Sequence, residues 1–248
     1  DPVRFSQTDA LRPAERERVQ QVVLRRLKRE INARTNPPRF CRRNPPQALL
    51  LSLSPEEIAL SAAFDGFRTA IRRLAAESET RRRRAGSFAV EILGKRLLSC
   101  PTAFAESWRR CREGLTEGAA ANEADVMTAK RNVERETGDD RETQSREATA
   151  AGVVGAWLKA VAADLQEEIA AIDAAVCGMG FALSQNNLEM QNPSADARFA
   201  ALTDLIEKLL RPEKTWRNDE RLVVFTEYKT TLDYLTRRLR ERYEPDRI

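Results

Sequence analysis

Histidine is absent from all 248 residues. That absence excludes a Ser-His-Asp or Cys-His catalytic centre within the chain. Cysteine is scarce: Cys41, Cys100, Cys111 and Cys177, with no C-x-x-C pair. A zinc site would need all four, or carboxylates at irregular spacings, so none is expected. Reduced thiols in a cytoplasmic setting are the better reading. No apolar run approaches the ~20 residues that span a bilayer, and no signal peptide is visible, so no membrane association is expected. The Asp1 start reads as a chain that begins mid-protein. Aromatic residues make up only 6%. That scarcity favours packing by Leu, Ala, Ile and Val, as in helical proteins.

What is present supports a real core, since 42% of residues are apolar. The length suits one large domain or two small ones. Charged residues reach 32%, with a formal net charge of only +4, so distribution matters more than total. Basic residues crowd positions 25–43 and 72–96, while positions 113–147 lean acidic. Such asymmetry lets a chain hold a polyanion on one side only.

Helix dominates the periodicity. Residues 14–31 read as a helix, with Pro13 near the first turn and an apolar face of Val19, Val22, Val23, Leu27 and Ile31. Residues 35–46 form a Pro- and Arg-rich irregular connector. Residues 48–53 read as a buried strand. Ser54-Pro55-Glu56-Glu57 then opens a helix: Ser54 as N-cap, Pro55 at the first helical position, Glu57 closing a capping box. Its apolar positions are Ile58, Phe64, Phe67, Ile71 and Leu74. Arg81 to Arg84 interrupts the pattern and reads as a solvated, extended loop. A helix over 88–98 starts at Ser87 and stops at Cys100-Pro101; another covers 103–115. Residues 115–149 suit either a solvated loop or a long exposed helix. Residues 157–172 are strongly helical, with Leu158, Val161, Leu165, Ile169 and Ile172 on one face. The pattern breaks over 178–193, and a helix over 199–210 and a loop over 212–220 follow.

The densest information lies at 221–239. Residues 222–225 are strand formers, with Val224 and Phe225 expected in the core. They meet a polar turn at Thr226-Glu227, then a helix with Leu232, Leu235 and Leu239 at spacings of three and four. A strand that feeds a helix N-terminus can present backbone N–H groups to a phosphate. Thr226 can donate its hydroxyl to that phosphate, or merely cap the helix. Lys229, one turn on, can add a phosphate contact or stay solvated. Arg25, Arg26 and Lys28 are further candidates; 25 and 28 align on one helix face and 26 points away. Trp108, Trp157 and Trp216 are possible stacking residues; Trp157 begins a long amphipathic helix and reads as core, and Trp216, in a polar loop, is the one to test for a partner contact. Asp139-Asp140 lacks paired spacing for a metal and reads as solvated charge.

Four segments, in order, resemble the middle of a Swi/Snf-type, superfamily-two helicase-like ATPase. Val23-Leu-Arg-Arg-Leu-Lys-Arg-Glu-Ile31 resembles the L-R-R-x-K element at the crossover between RecA-like lobes. Leu49-Leu-Leu-Ser-Leu-Ser-Pro-Glu-Glu57 resembles the strand and helix that open the second lobe. Leu93-Gly-Lys-Arg-Leu-Leu-Ser-Cys-Pro-Thr-Ala-Phe104 resembles a signature of bacterial members, including the helicase component of the DISARM anti-phage system. Residues 223–228 resemble motif IV, where the second lobe grips nucleic acid.

The resemblance implies a mainly α chain: a helical insertion plus a partial α/β RecA-like second lobe with few strands. The implied segments are 1–46 (end of the first-lobe crossover and linker), 47–112 (start of the second lobe and first insertion helices), 113–192 (variable helical insertion) and 193–248 (second-lobe segment with motif IV). It implies duplex DNA, the remaining lobes of the parent and a protein docked on the insertion as partners. ATP and magnesium belong to the parent. The competing class is a helical protein-interaction module with no nucleic-acid role.

The departures decide what this chain does alone. There is no G-x-x-x-x-G-K-[ST] and no D-E-x-[HD]; Gly94-Lys95-Arg96 has the GK pair without the earlier glycine or the magnesium-binding hydroxyl. The arginine-bearing motif VI would lie beyond Ile248. No catalytic residue and no cofactor site is therefore expected here, because phosphoryl transfer needs a phosphate cradle, magnesium and charge stabilisers. A phosphate-release assay on the purified chain should show no ATP turnover above buffer; turnover that survives repurification would contradict this.

Overall fold

The computed structural model describes residues 27–40, 44–76, 80–185 and 188–248. The chain divides into two compact units, Asp1–Leu49 and Leu50–Ile248. Regular structure among the described residues is entirely helical, which agrees with the mainly α expectation.

In the first unit, helix α1 (Lys28–Asn32) starts after Leu27, whose backbone is extended, so the helix expected over 14–31 does not run unbroken through Leu27; residues 14–26 lie outside the described residues. Asn32 closes the following turn on itself. Its amide donates to the Phe40 carbonyl at 2.6 Å and its Oδ1 accepts from the Phe40 N–H at 2.8 Å. The expected irregular connector is irregular throughout its described residues.

In the second unit, α2 (Pro55–Ala76) starts as its sequence dictates. Ser54 Oγ accepts from the Glu57 N–H, and Glu57 Oε2 accepts from the Ser54 N–H at 2.9 Å. Glu57 does more than close the box. It is buried, and its other oxygen accepts from the Ala197 N–H at 3.0 Å, which ties a second helix start to the first. Leu60, Phe64, Phe67 and Ile71 face inward, whereas Ile58 is exposed.

Helix α3 (Thr80–Ser99) packs on α2. It begins seven residues before Ser87, so Arg81 to Arg84 form its first turn rather than a loop. Arginine is a good helix former, and buried Ala85, Gly86, Phe88 and Ala89 anchor that turn from one face. Cys100 then breaks the helix, and α4 (Pro101–Thr116) starts with Pro101 in its first turn. The 115–149 stretch resolves into α5 (Glu123–Glu134) and α6 (Asp140–Leu158). Each has a local stop-and-start signal. Asn122 Oδ1 accepts from the Ala124 and Asp125 N–H groups, and Asp139 Oδ1 from the Arg141 N–H.

A 3-10 segment (Lys159–Leu165) continues α6 into α7 (Gln166–Gly178). Leu158, Val161, Leu165, Ile169 and Ile172 are all buried as expected, and Trp157 is core, at the end of α6 rather than the start of a helix. The continuous stretch Asp140–Gly178 contains an 18-residue window of mean hydropathy 1.3, half of it buried against the chain's own helices. By length and composition alone this stretch could cross a membrane.

The core is an aromatic stack. Phe64 meets Phe104 edge-on, Phe67 meets Trp108 edge-on, and Phe104 and Trp108 lie parallel. Trp108 is fully buried, so it is no stacking platform for a base; its Nε1 donates to Asp173 of α7 at 2.7 Å. The closest helix contact is α4 against α6. A Cβ at Gly114 would overlap the Gly152 carbonyl, and one at Gly155 would overlap the Cys111 carbonyl. Only glycine lets the two backbones approach this far.

A satellite core joins α8 (Ala197–Leu209) to α9 (Lys229–Arg242) through Phe199, Ile206, Leu239 and Tyr243, with Leu222 packed at its edge. Asp196 caps α8 and accepts the Tyr234 hydroxyl at 2.6 Å, while Arg238 lies over the Phe199 ring.

The two expected strands do not form. Residues 49–53 and 222–225 make no backbone–backbone hydrogen bond among the described residues. A strand exists only with a partner ladder, and neither segment has one. Leu50 is 96% and Phe225 91% exposed, and Val224 is exposed too, so neither Phe225 nor Val224 is core.

Gly155→Ala should lower stability by ~3 kcal/mol, the upper end of overpacking costs. Gly66→Ala, with nothing within 4 Å of the added methyl, should raise it by about 0.5–1 kcal/mol. Urea unfolding of both variants checks the pair; equal stability of Gly155→Ala and the parent would show that the helices do not meet this closely.

Candidate nucleic-acid interface

The turn ahead of α9 holds two of the five candidate residues. Thr226 is half-buried, and its Oγ1 accepts from the Tyr228 N–H at 3.4 Å. It therefore braces the turn one residue before the helix. The N-cap itself is Tyr228, and no side chain caps α9 there.

Tyr228 anchors the turn from below. Its buried ring lies under the Arg96 guanidinium, 3.7 Å from the ring centroid. Burial raises the pKa of its hydroxyl, against the lowering effect of Arg96. Arg96 is itself buried on α3 and forms an ion pair with Glu147 of α6. Thr231 adds a second attachment: its hydroxyl shares a hydrogen bond with Ser99 at 2.6 Å and lies 3.5 Å from the Cys100 thiol. Gln144 of α6 donates to Thr230 at 3.2 Å. Three helices thus fix the start of α9. Sequence reading missed this clamp. The available signal was Arg96 itself, which sits at a core-facing spacing from Ile92 and Leu93.

Lys229 is not a free cation. Its Nζ lies 2.7 Å from both oxygens of Asp233, one helical turn on. Glu227 is exposed beside it, and Asp140 and Glu147 line the cleft on the other side. The remaining nearby lysine, Lys95, is paired with Glu91 at 3.0 Å; that hydrogen bond raises its pKa. The charge facing the turn is therefore balanced rather than positive.

Lys28 lies in the first unit, with Nζ 5.5 Å from the Phe40 ring centroid. Arg25 and Arg26 lie outside the described residues. Trp216 packs edge-on against Tyr243 and donates from Nε1 to Glu244 at 2.9 Å, so it belongs to the satellite core rather than to an open stacking face.

The GK pair lies inside α3, where no loop cradles a phosphate. Gly94 is there for packing: a Cβ would come within 3.3 Å of the Phe64 ring. Asp139 and Asp140 begin α6. Among the described residues, no group of three or more Cys, Asp or Glu side chains is placed to hold a metal.

No protein-family model, curated protein or solved structure matches this chain.

Removing one partner of a buried ion pair leaves the other charge uncompensated. Arg96→Met should therefore cost about 3–5 kcal/mol and loosen the Thr226–Lys229 turn. Arg96→Met/Glu147→Leu should recover most of that loss. Chemical denaturation of the single and double variants decides it; a double variant no more stable than the single one would contradict the pairing.

Proposed function

We propose that the chain is the helical insertion and part of the second lobe of a Swi/Snf-like DNA-dependent ATPase, acting in the cytoplasm of a bacterium in phage defence. One observation carries this reading. The helices close a core of their own, yet two apolar extended segments, 49–53 and 222–225, make no strand pairing, and all their large apolar side chains except Leu222 are exposed. These are the two positions where the resemblance calls for strands of a RecA-like sheet. Each leads directly into a helix, α2 and α9. An apolar segment with free backbone donors and acceptors is a strand waiting for neighbours.

In that reading the parent's other segments complete the sheet and bring ATP and magnesium. Closure of the lobes on ATP then moves the protein along duplex DNA. The start of α9, without a side-chain cap, receives a backbone phosphate beside Thr226. Lys229 adds charge when it leaves Asp233, and Arg25, Arg26 and Lys28 supply a second basic stretch. Cys100, Cys111 and Cys177 are free thiols, as suits a reducing compartment.

The pairing of Lys229 with Asp233 supplies a test with opposite signs. Labelled duplex DNA is titrated by anisotropy across a salt series. Lys229→Ala should weaken binding and reduce the slope of log K against log salt by about 0.9, the share of one phosphate. Asp233→Asn should strengthen binding at low salt, and Thr226→Ala should weaken it. If neither charge variant moves the affinity, the turn does not grip phosphate. Salt-insensitive capture of a protein through the helical core would then support the interaction-module class.

A further inference from the structure

The sequence has two basic stretches, 25–43 and 72–84, and the second lies within the second unit. Residues 72–84 contain six arginines and two glutamates, a net of +4, which equals that of the whole chain. The other 235 residues carry 36 basic and 36 acidic side chains. Folding brings the six arginines to one end of one hairpin. Arg72 and Arg73 lie near the end of α2, and Arg81 to Arg84 open α3. The two ends are packed together: a Cβ at Gly86 would touch Ile71 at 3.1 Å and Ala75 at 3.8 Å.

Several arginines elsewhere in the second unit are neutralised. Arg96, Arg109, Arg112, Arg146 and Arg217 all have carboxylate partners. At the hairpin end, none of the six is ion-paired among the described residues, and Arg83 makes only a side-chain bond to Thr80. All but Arg82, which is half-buried, are exposed. Helix stability does not account for Arg81 to Arg84, since cations at a helix N-terminus oppose its dipole, whereas Arg73 sits in the last turn of α2, where a cation suits it.

We propose that the α2–α3 hairpin end is a docking surface for the phosphate backbone of duplex nucleic acid. Four consecutive positions on a helix point about 100° apart, so Arg81 to Arg84 cannot converge on one small anion. They can each meet a different phosphate along a polymer. Residues 72–84 contain no aromatic side chain, so bases have nothing to stack on, and a single strand gains little over a duplex. Arginine also matches phosphate geometry through its planar fork. This surface is separate from the turn before α9 and does not rest on it.

The test uses the full chain and a labelled 30-base-pair DNA of arbitrary sequence, titrated across a salt series. Arg72→Ala/Arg73→Ala/Arg81→Ala/Arg84→Ala should lose at least tenfold in affinity at low salt. Its salt slope should fall by about 3.6, four phosphates at ~0.9 each. Its melting temperature should hold or rise, which separates lost binding from lost folding. Lys substitutions at the four positions should retain most of the binding. Loss here with Lys229→Ala unaffected would support this surface and sink the α9 turn; the reverse would overturn this surface alone. Unchanged affinity in the quadruple variant, or no duplex binding at low salt, would overturn the proposal. So would equal competition by polyglutamate and duplex at matched charge, which would mark the surface as one for acidic protein.

Discussion

The backbone contact between α4 and α6 is the constraint on which the rest of the molecule depends. Gly114 and Gly155 have no room for a Cβ, because the carbonyls of Gly152 and Cys111 occupy it. Two helices this close act as one rigid block, and the other elements are mounted on it. Asp173 fixes α7 to α4 by accepting from Trp108 and pairing with Arg112 at 3.2 Å. Lys159 reaches back to the Thr116 and Gly118 carbonyls, which closes the end of α4. The start of α9 is held by Gln144 of α6 and by Ser99 and Cys100 at the α3–α4 junction.

The buried charged groups Arg109, Arg96 and Glu57 are matched, whereas Thr102 Oγ1 on α4 is buried without a hydrogen-bond partner. Buried Arg109 is pinned by Glu106 and Glu113 on its own helix. Arg96 bridges Glu147 and Tyr228, and Glu57 serves two helix starts at once. Such pairs add little net stability over apolar substitutes, and breaking one is costly. The effect of Arg96 and Glu57 is geometric: each joins elements distant in sequence in one register, whereas Arg109 is held within α4. The same pairing, of Lys229 with Asp233 and of Lys95 with Glu91, leaves the charge at the turn before α9 balanced.

What was legible in the sequence was what local rules govern. Ser54, Pro55 and Glu57 form the capping box their order implies, because a cap depends on four residues only. The spacing of Leu158, Val161, Leu165, Ile169 and Ile172 gave the buried face because it follows the 3.6-residue period. Asn122 with Asp125 carried the same kind of signal for α5, and it was available in a stretch left open between loop and helix. Charge concealed the first turn of α3, since a run of arginines has no apolar period to read.

The strand expectations at 49–53 and 222–225 failed for a different reason. Strand propensity describes a residue in a sheet, and no sheet partner exists among the described residues. Nor could sequence show the α4–α6 crossing. A glycine within a helix reads as a weakness until its neighbour is known. Of the candidate site, the sequence placed Thr226 and Lys229 on one turn but not the carboxylate that occupies Lys229 or the arginine beneath Tyr228.

Native-state hydrogen exchange tests the central claim most directly. Amides in the facing turns of α4 and α6, residues 108–116 and 150–158, should exchange last and open together, at the free energy of global unfolding. Those of α8 and α9 should open earlier. Exchange of the α4–α6 turns ahead of the α8–α9 pair would show that the crossing is not the element the fold is built on.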